Sequence, residues 1–87
     1  NLFNQQSFPM KERDKQNLIE SANKKLNKAE RFFEIENYNK AAKHFKKAGE
    51  DFFKVGEYDA AEKIFSMVSK SYEYSQEYEN NQFFHQL

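Results

Sequence analysis

The 87-residue chain has no cysteine and no tryptophan, a single proline and two glycines. Without cysteine there is neither a disulfide framework nor a thiolate metal site, so the stabilising devices of small secreted domains are excluded and a reducing, intracellular setting is expected. No run of about 18 apolar residues occurs, which excludes a membrane-spanning helix, and the first residues lack the basic-then-apolar order of a signal peptide. The expected compartment is the cytoplasm, with an organelle left open because a chain starting at Asn1 fits a processed N-terminus. The two glycines, Gly49 and Gly56, cannot form a glycine-rich phosphate loop. There is also no excess charge of either sign. Fourteen basic and fourteen acidic residues cancel, which disfavours a general nucleic-acid or anionic-membrane binder.

What the chain does contain is aromatic residues: ten Phe and five Tyr supply much of its apolar material. A chain of this length buries only about 60 percent of its unfolded surface, so the core is thin. Each fully buried Phe is worth roughly 1.5 to 3 kcal/mol, so a few aromatic contacts decide stability. The charges are unevenly placed. Residues 24–47 hold eight basic residues against three acidic ones, and residues 50–79 hold eight acidic against three basic. The folded domain is therefore expected to be a charge dipole.

Residues 1–14 carry the only proline, Pro9, and no helical period, and read as an extended N-terminal arm. From about Lys15, Leu18, Ala22, Leu26, Ala29 and Phe33 recur at steps of three or four, predicting an amphipathic helix to about Glu36. Asn37 suits the N-cap of a second helix that buries Ala41, Phe45, Ala48, Phe52 and Val55, with Ala42, Gly49 and Phe53 beside them. Gly56 stands where a helix end wants a left-handed residue. A third helix, about Asp59 to Tyr74, carries Ala61, Ile64, Phe65, Val68 and Tyr72 as its stripe. Residues 76–87 lose the period and read as a polar tail, leaving residues 15–75 as the folded domain. The fold expected is all-α: three antiparallel amphipathic helices with extended termini.

A repeat is written through this domain. Ala29, Phe32, Tyr38, Ala41, Phe45 and Ala48 return as Gly49, Phe52, Tyr58, Ala61, Phe65 and Val68, each shifted by 20 positions. Small residues let helices approach, Phe fills the space beside them, and Tyr packs across the turn. The segments AERFFEIENYNKAAKHFKKAG and GEDFFKVGEYDAAEKIFSMVS resemble the tetratricopeptide repeat, and KKAGEDFFKVGEY is similar to the looser helical repeats of the soluble NSF attachment proteins. The resemblance implies a right-handed stack of helical hairpins, although the 20-residue offset makes the second helix common to both units and leaves a small three-helix bundle as the alternative. The paired aromatics, Phe32 with Phe33 and Phe52 with Phe53, point about 100 degrees apart, so one of each pair requires a further neighbour.

Catalytic chemistry is hard to find. His44 and His85 lie far apart without ligand-spaced companions, and the serines lack an evident base, so no enzyme activity, metal or cofactor is expected. Carrying over the ligand-facing positions of a tetratricopeptide first helix, anchored on Gly49 and Phe52, implies a partner-binding face of Lys43, Lys46, Glu50, Phe53 and Lys54. The Asn of the family's carboxylate clamp is replaced by Glu30 and Glu50, so a clamp of that type is not implied. The function expected is a non-catalytic adaptor or scaffold subunit of a larger complex, with a protein partner and no small-molecule substrate. Two alternatives stand beside it: a vesicle-trafficking domain of the NSF-attachment or microtubule-interacting-and-transport type that takes a partner helix, and an RNA-contacting accessory subunit using Lys40, Lys43, Lys46, Lys47 and Lys54. Phe3, Phe8, Phe83 and Phe84 are expected to anchor the two ends on a partner or a neighbouring subunit.

Overall fold

The computed structural model describes residues 10–86, with side chains described for residues 10–80. Three helices follow one another: α1 (Glu12–Glu34), α2 (Tyr38–Lys54) and α3 (Tyr58–Gln86). Each turn is too short to do anything but reverse the chain, and two cross-links fix the antiparallel registers. Lys25 of α1 meets Asp51 of α2, and the Ser75 hydroxyl of α3 donates to Asn39 Oδ1 of α2 at 3.0 Å. The middle helix α2 packs against both neighbours. Phe33 of α1 and Tyr74 of α3 touch across its N-terminal end, with ring centroids 5.6 Å apart.

The 20-residue repeat holds at the level of the backbone. After α1, the Glu36 N–H donates to the Phe33 carbonyl and the Asn37 N–H to the Phe32 carbonyl; after α2, the Gly56 N–H donates to Phe53 and the Glu57 N–H to Phe52. Both ends are Schellman motifs, which satisfy the last free carbonyls through one residue in the left-handed conformation. Glu36 has φ 65° and Gly56 has φ 84°. Glycine adopts that conformation freely, whereas Glu36 carries a steric cost of roughly 1–2 kcal/mol.

Asn37 sits at the N-cap of α2, as its position in the sequence suggests, but its side chain caps nothing. Its ψ of 73° falls short of the extended value that aims a capping side chain at the free amides, because the preceding motif already ties its N–H to Phe32.

The core is small and lies along α2. Ala22, Ala29, Ala41, Phe45, Ala48, Phe52, Ala61 and Ile64 form one buried cluster, with Ile19, Leu26, Phe32, Phe33, Met67 and Val68 half-buried around it. Alanine at the helix crossings brings the backbones close, and Phe45, only 1% exposed, fills the centre. Gly49 is smaller still for a visible reason: a Cβ there would stand 2.7 Å from Cε1 of Phe65.

Two buried groups are polar. Asp51 faces α1, where Lys25 Nζ lies 2.5 Å from its Oδ2. Twenty residues on, Ser71 is buried without a charged partner, and its hydroxyl donates to the Met67 carbonyl at 2.7 Å.

Three expectations about the elements need correction. The first helix begins at Glu12, inside the stretch read as an extended arm, because Glu12 and Asp14 place negative charge in its first turn, where the helix dipole favours it. The third helix does not stop at Tyr74; α3 runs through the supposed polar tail to Gln86, since that stretch holds no glycine or proline to end it. The buried line of α3 passes through Ala61, Ile64 and Ser71, so Phe65 and Tyr72 stand on its exposed flank rather than in the core. Residues 1–9 of the arm, with Phe3 and Phe8, and the side chains of Phe83 and Phe84 lie outside the described residues.

Candidate functional site

Each Phe pair divides according to what lies beside it. Phe32 is half-covered by the His44 ring, centroids 5.1 Å apart, and by Lys40, whose Nζ lies 5.6 Å from the ring centroid. Nδ1–H of His44 donates to the Lys40 carbonyl at 2.8 Å, which holds that ring in place. Phe33 is enclosed by aromatics: Tyr38 at 5.1 Å, Phe45 at 6.3 Å and Tyr74 at 5.6 Å, with Tyr38 also 5.5 Å from Tyr74. Edge-to-face and tilted pairs at these separations each add about 0.5–1.5 kcal/mol beyond the area they bury. Partial burial holds the Tyr38 hydroxyl above its ordinary pKa of 10.0, and the neighbouring Glu36, Tyr74 and Glu77 push in the same direction.

In the second copy of the motif, Phe52 is buried, and Phe53 is 57% exposed. Among the described residues its paired aromatic neighbour is Tyr58, edge-on at 5.0 Å and itself 60% exposed. Together with Phe65, these two rings line an open groove of about 580 Å³ whose remaining wall is Ala61, Glu62, Ser66 and Ser69. An adjoining hollow of about 440 Å³ is lined by Glu50, Phe53, Lys54 and Phe65.

All five residues expected to bind a partner are exposed on α2. Glu50, Phe53 and Lys54 come together at the groove edge. Lys43 and Lys46 share their helix face by register but lie farther toward the N-terminus of α2, away from that wall. Tyr58, Glu62 and Phe65 line the groove but do not belong to the expected set. The signal that reveals them is in the sequence: they repeat Tyr38, Ala42 and Phe45 at +20, and two of those three are aromatic.

The groove wall offers no assembled catalytic group. The Ser66 hydroxyl donates to the Glu62 carbonyl of its own helix at 3.1 Å, and among the described residues no three His, Cys, Asp or Glu side chains cluster as metal ligands would. No helix among the described residues is long and apolar enough to cross a membrane. Comparison with protein-family models gives no match, and comparisons with curated proteins and with solved structures give none either.

Proposed function

We propose that this chain is a non-catalytic helical-repeat interaction module, tetratricopeptide-like or NSF-attachment-like in its packing, that serves as an adaptor or scaffold subunit and holds another protein through the α2–α3 face. One observation carries the reading. Phe53, Tyr58 and Phe65 form a contiguous aromatic groove open to solvent, flanked by Glu50 and Lys54, on a molecule whose buried core is otherwise built from alanines and a few larger side chains. Exposed aromatic grooves with charged rims are a usual form of protein-binding site, and Tyr and Phe are favoured anchors there.

The test is a comparison of proteins cross-linked to the intact chain and to a Lys43→Glu, Lys46→Glu, Phe53→Ala variant of equal helicity. A defined partner set that the variant loses supports the reading; the same set recovered by both sinks it. A set made of membrane-fusion or membrane-remodelling factors would specify the trafficking form of the same module.

A second reading rests on the exposed lysines Lys40, Lys43, Lys46, Lys47 and Lys54 of α2, which could track a phosphate backbone. RNA binding that does not weaken between low and moderate salt would be incompatible with it.

A further inference from the structure

Subtracting 20 from each residue that lines the larger groove gives a result that no single residue would suggest. Phe53, Tyr58, Ala61, Glu62, Phe65, Ser66 and Ser69 become Phe33, Tyr38, Ala41, Ala42, Phe45, Lys46 and Gly49. Every member of that second set is buried or half-buried except Lys46, which stands at its exposed edge as Ser66 does in the groove. At three of them the cover from α3 is explicit: Tyr74 closes over Phe33 and Tyr38, and Phe65 lies on Gly49. The same surface therefore occurs twice in this molecule, once with a helix on it and once without.

The chain does not cover the second copy with its own described residues. Glu36 and Gly56 turn the backbone at equivalent places, but at the next equivalent place, Gln76, α3 continues without a break. What would fit can be read from the helix that fills the first copy. It presents a small residue, aliphatic and aromatic side chains, a second small residue and a tyrosine at the spacing of Ala61, Ile64, Phe65, Val68, Ser71 and Tyr74. The empty copy differs in charge. Glu62 replaces Ala42 in the wall, and Asp59, Glu73 and Glu77 are exposed along the same flank of α3 at helical spacing, where the four acidic residues outnumber the adjacent Lys63 and Lys70.

A second copy of this chain is a poor occupant. Apart from Ile35 beyond its C-terminal end, the fully exposed face of α1 is polar, including Asn23, Lys24, Asn27, Lys28 and Arg31, and brings no apolar stripe. Pairing α3 with α3 would set two acidic flanks against each other, which charge repulsion opposes.

We infer that the groove of Phe53, Tyr58, Phe65 and Ser69 seats an amphipathic helix of a partner protein, packed on α3 as α3 packs on α2, with an aromatic over Phe53 and Tyr58 and basic residues against Glu62 and Glu73. The inference rests on reading the chain as an interaction module and names the chemistry of what it holds. Ser69 stands where Gly49 accepts the Phe65 ring, so the partner helix places a smaller side chain there or stands slightly farther off.

The test uses the whole chain and two fluorescein-labelled helical peptides. Both carry the Ala, Ile, Phe, Val, Ser and Tyr pattern of α3; one has lysines on the flanks and the other glutamates. The lysine peptide is expected to bind with Kd in the range of about 10–100 μM. The glutamate peptide should bind about tenfold more weakly at low salt, with the gap closing as salt is added. Phe53→Ser and Tyr58→Ser, both at exposed positions, should weaken the lysine peptide about tenfold with helicity kept, and Glu62→Lys should reverse the preference between peptides. Binding of neither peptide at about 1 mM, equal binding of both, or amide shifts centred on Phe33 and Phe45, meaning displacement of α3, would each overturn the inference. So would self-association of the chain that Phe53→Ser abolishes, which would make a second copy the occupant. If the peptides fail while the cross-linked partner set still depends on Lys43, Lys46 and Phe53, the module reading survives and only this assignment falls.

Discussion

Replacing Gly49 by alanine tests the packing of α2 on α3, because two opposing effects meet at one atom. Alanine favours a helix interior over glycine by about 1 kcal/mol, so in an open site the change would stabilise the domain. At Gly49 the new methyl would lie 2.7, 2.9 and 3.1 Å from Cε1, Cδ1 and Cζ of Phe65. Those distances are too short for carbon, and ring displacement of this kind costs about 1–3 kcal/mol. Phe65 is 36% exposed and can swing toward the groove, which holds the cost to the middle of that range. The expected net effect is a loss of about 1 kcal/mol, seen in a domain of this size as a fall in Tm of roughly 4–8 °C. The decisive comparison is the same change in a Phe65→Ala background, followed by urea denaturation with circular dichroism. With the ring gone, Gly49→Ala should stabilise by about 1 kcal/mol, giving a coupling of about 2 kcal/mol between the two sites. Equal stabilisation in both backgrounds would refute the contact.

Glu36→Gly removes a side chain from the left-handed turn and should stabilise the domain by about 0.5–1 kcal/mol, after allowing for the greater freedom of glycine in the unfolded chain; an unchanged urea midpoint would mean that Glu36 is unstrained. Lys25→Met leaves Asp51 buried without its cation and should cost about 1–2 kcal/mol, most of it recovered in the Lys25→Met, Asp51→Leu pair, whereas an additive loss in the pair would contradict the assignment. Phe53→Ala should cost less than about 1 kcal/mol of stability, because the ring is 57% exposed, while weakening the partner helix; a loss of roughly 3–5 kcal/mol would instead place Phe53 in the core. Tyr38 has a raised pKa in the folded state, so the stability held by its neutral hydroxyl is fully present below pH 10 and is lost as pH rises through the folded value. Tyr38→Phe should therefore reduce the decline in stability above pH 10, and identical profiles for the two proteins would show that Tyr38 does not contribute to it.

The three helices were legible because their apolar period is strong and the turns are short. Ala22, Ala29, Ala41, Phe45, Ala48 and Ala61 all lie on predicted stripes and all are buried. Gly56 announces its left-handed turn by residue type, but Glu36 does so only through its register with Gly56, since glutamate has no preference for that conformation. The burial of Asp51 was hidden because its partner, Lys25, is 26 residues away on another helix, and charge alone predicts exposure. Phe65 and Tyr72 were misplaced for a related reason. Periodicity gives an apolar arc without saying how much of it a neighbour covers, and among the described residues α3 packs chiefly on α2. The candidate site was half visible: the tetratricopeptide resemblance implied Glu50, Phe53 and Lys54, while Tyr58 and Phe65 emerged only when the covered and uncovered copies of the repeat were compared.

One aromatic surface occurs twice in this molecule, filled by α3 in the first copy and open in the second. Aromatic carbon NMR with a soluble paramagnetic agent measures this ring by ring on the intact chain. Strong relaxation is expected at Phe53, Tyr58 and Phe65 and weak relaxation at Phe33, Tyr38 and Phe45, with the first set becoming protected when the lysine-flanked helix is added. Equal relaxation of the two sets in the free chain, or no protection on saturation with that helix, would contradict the account.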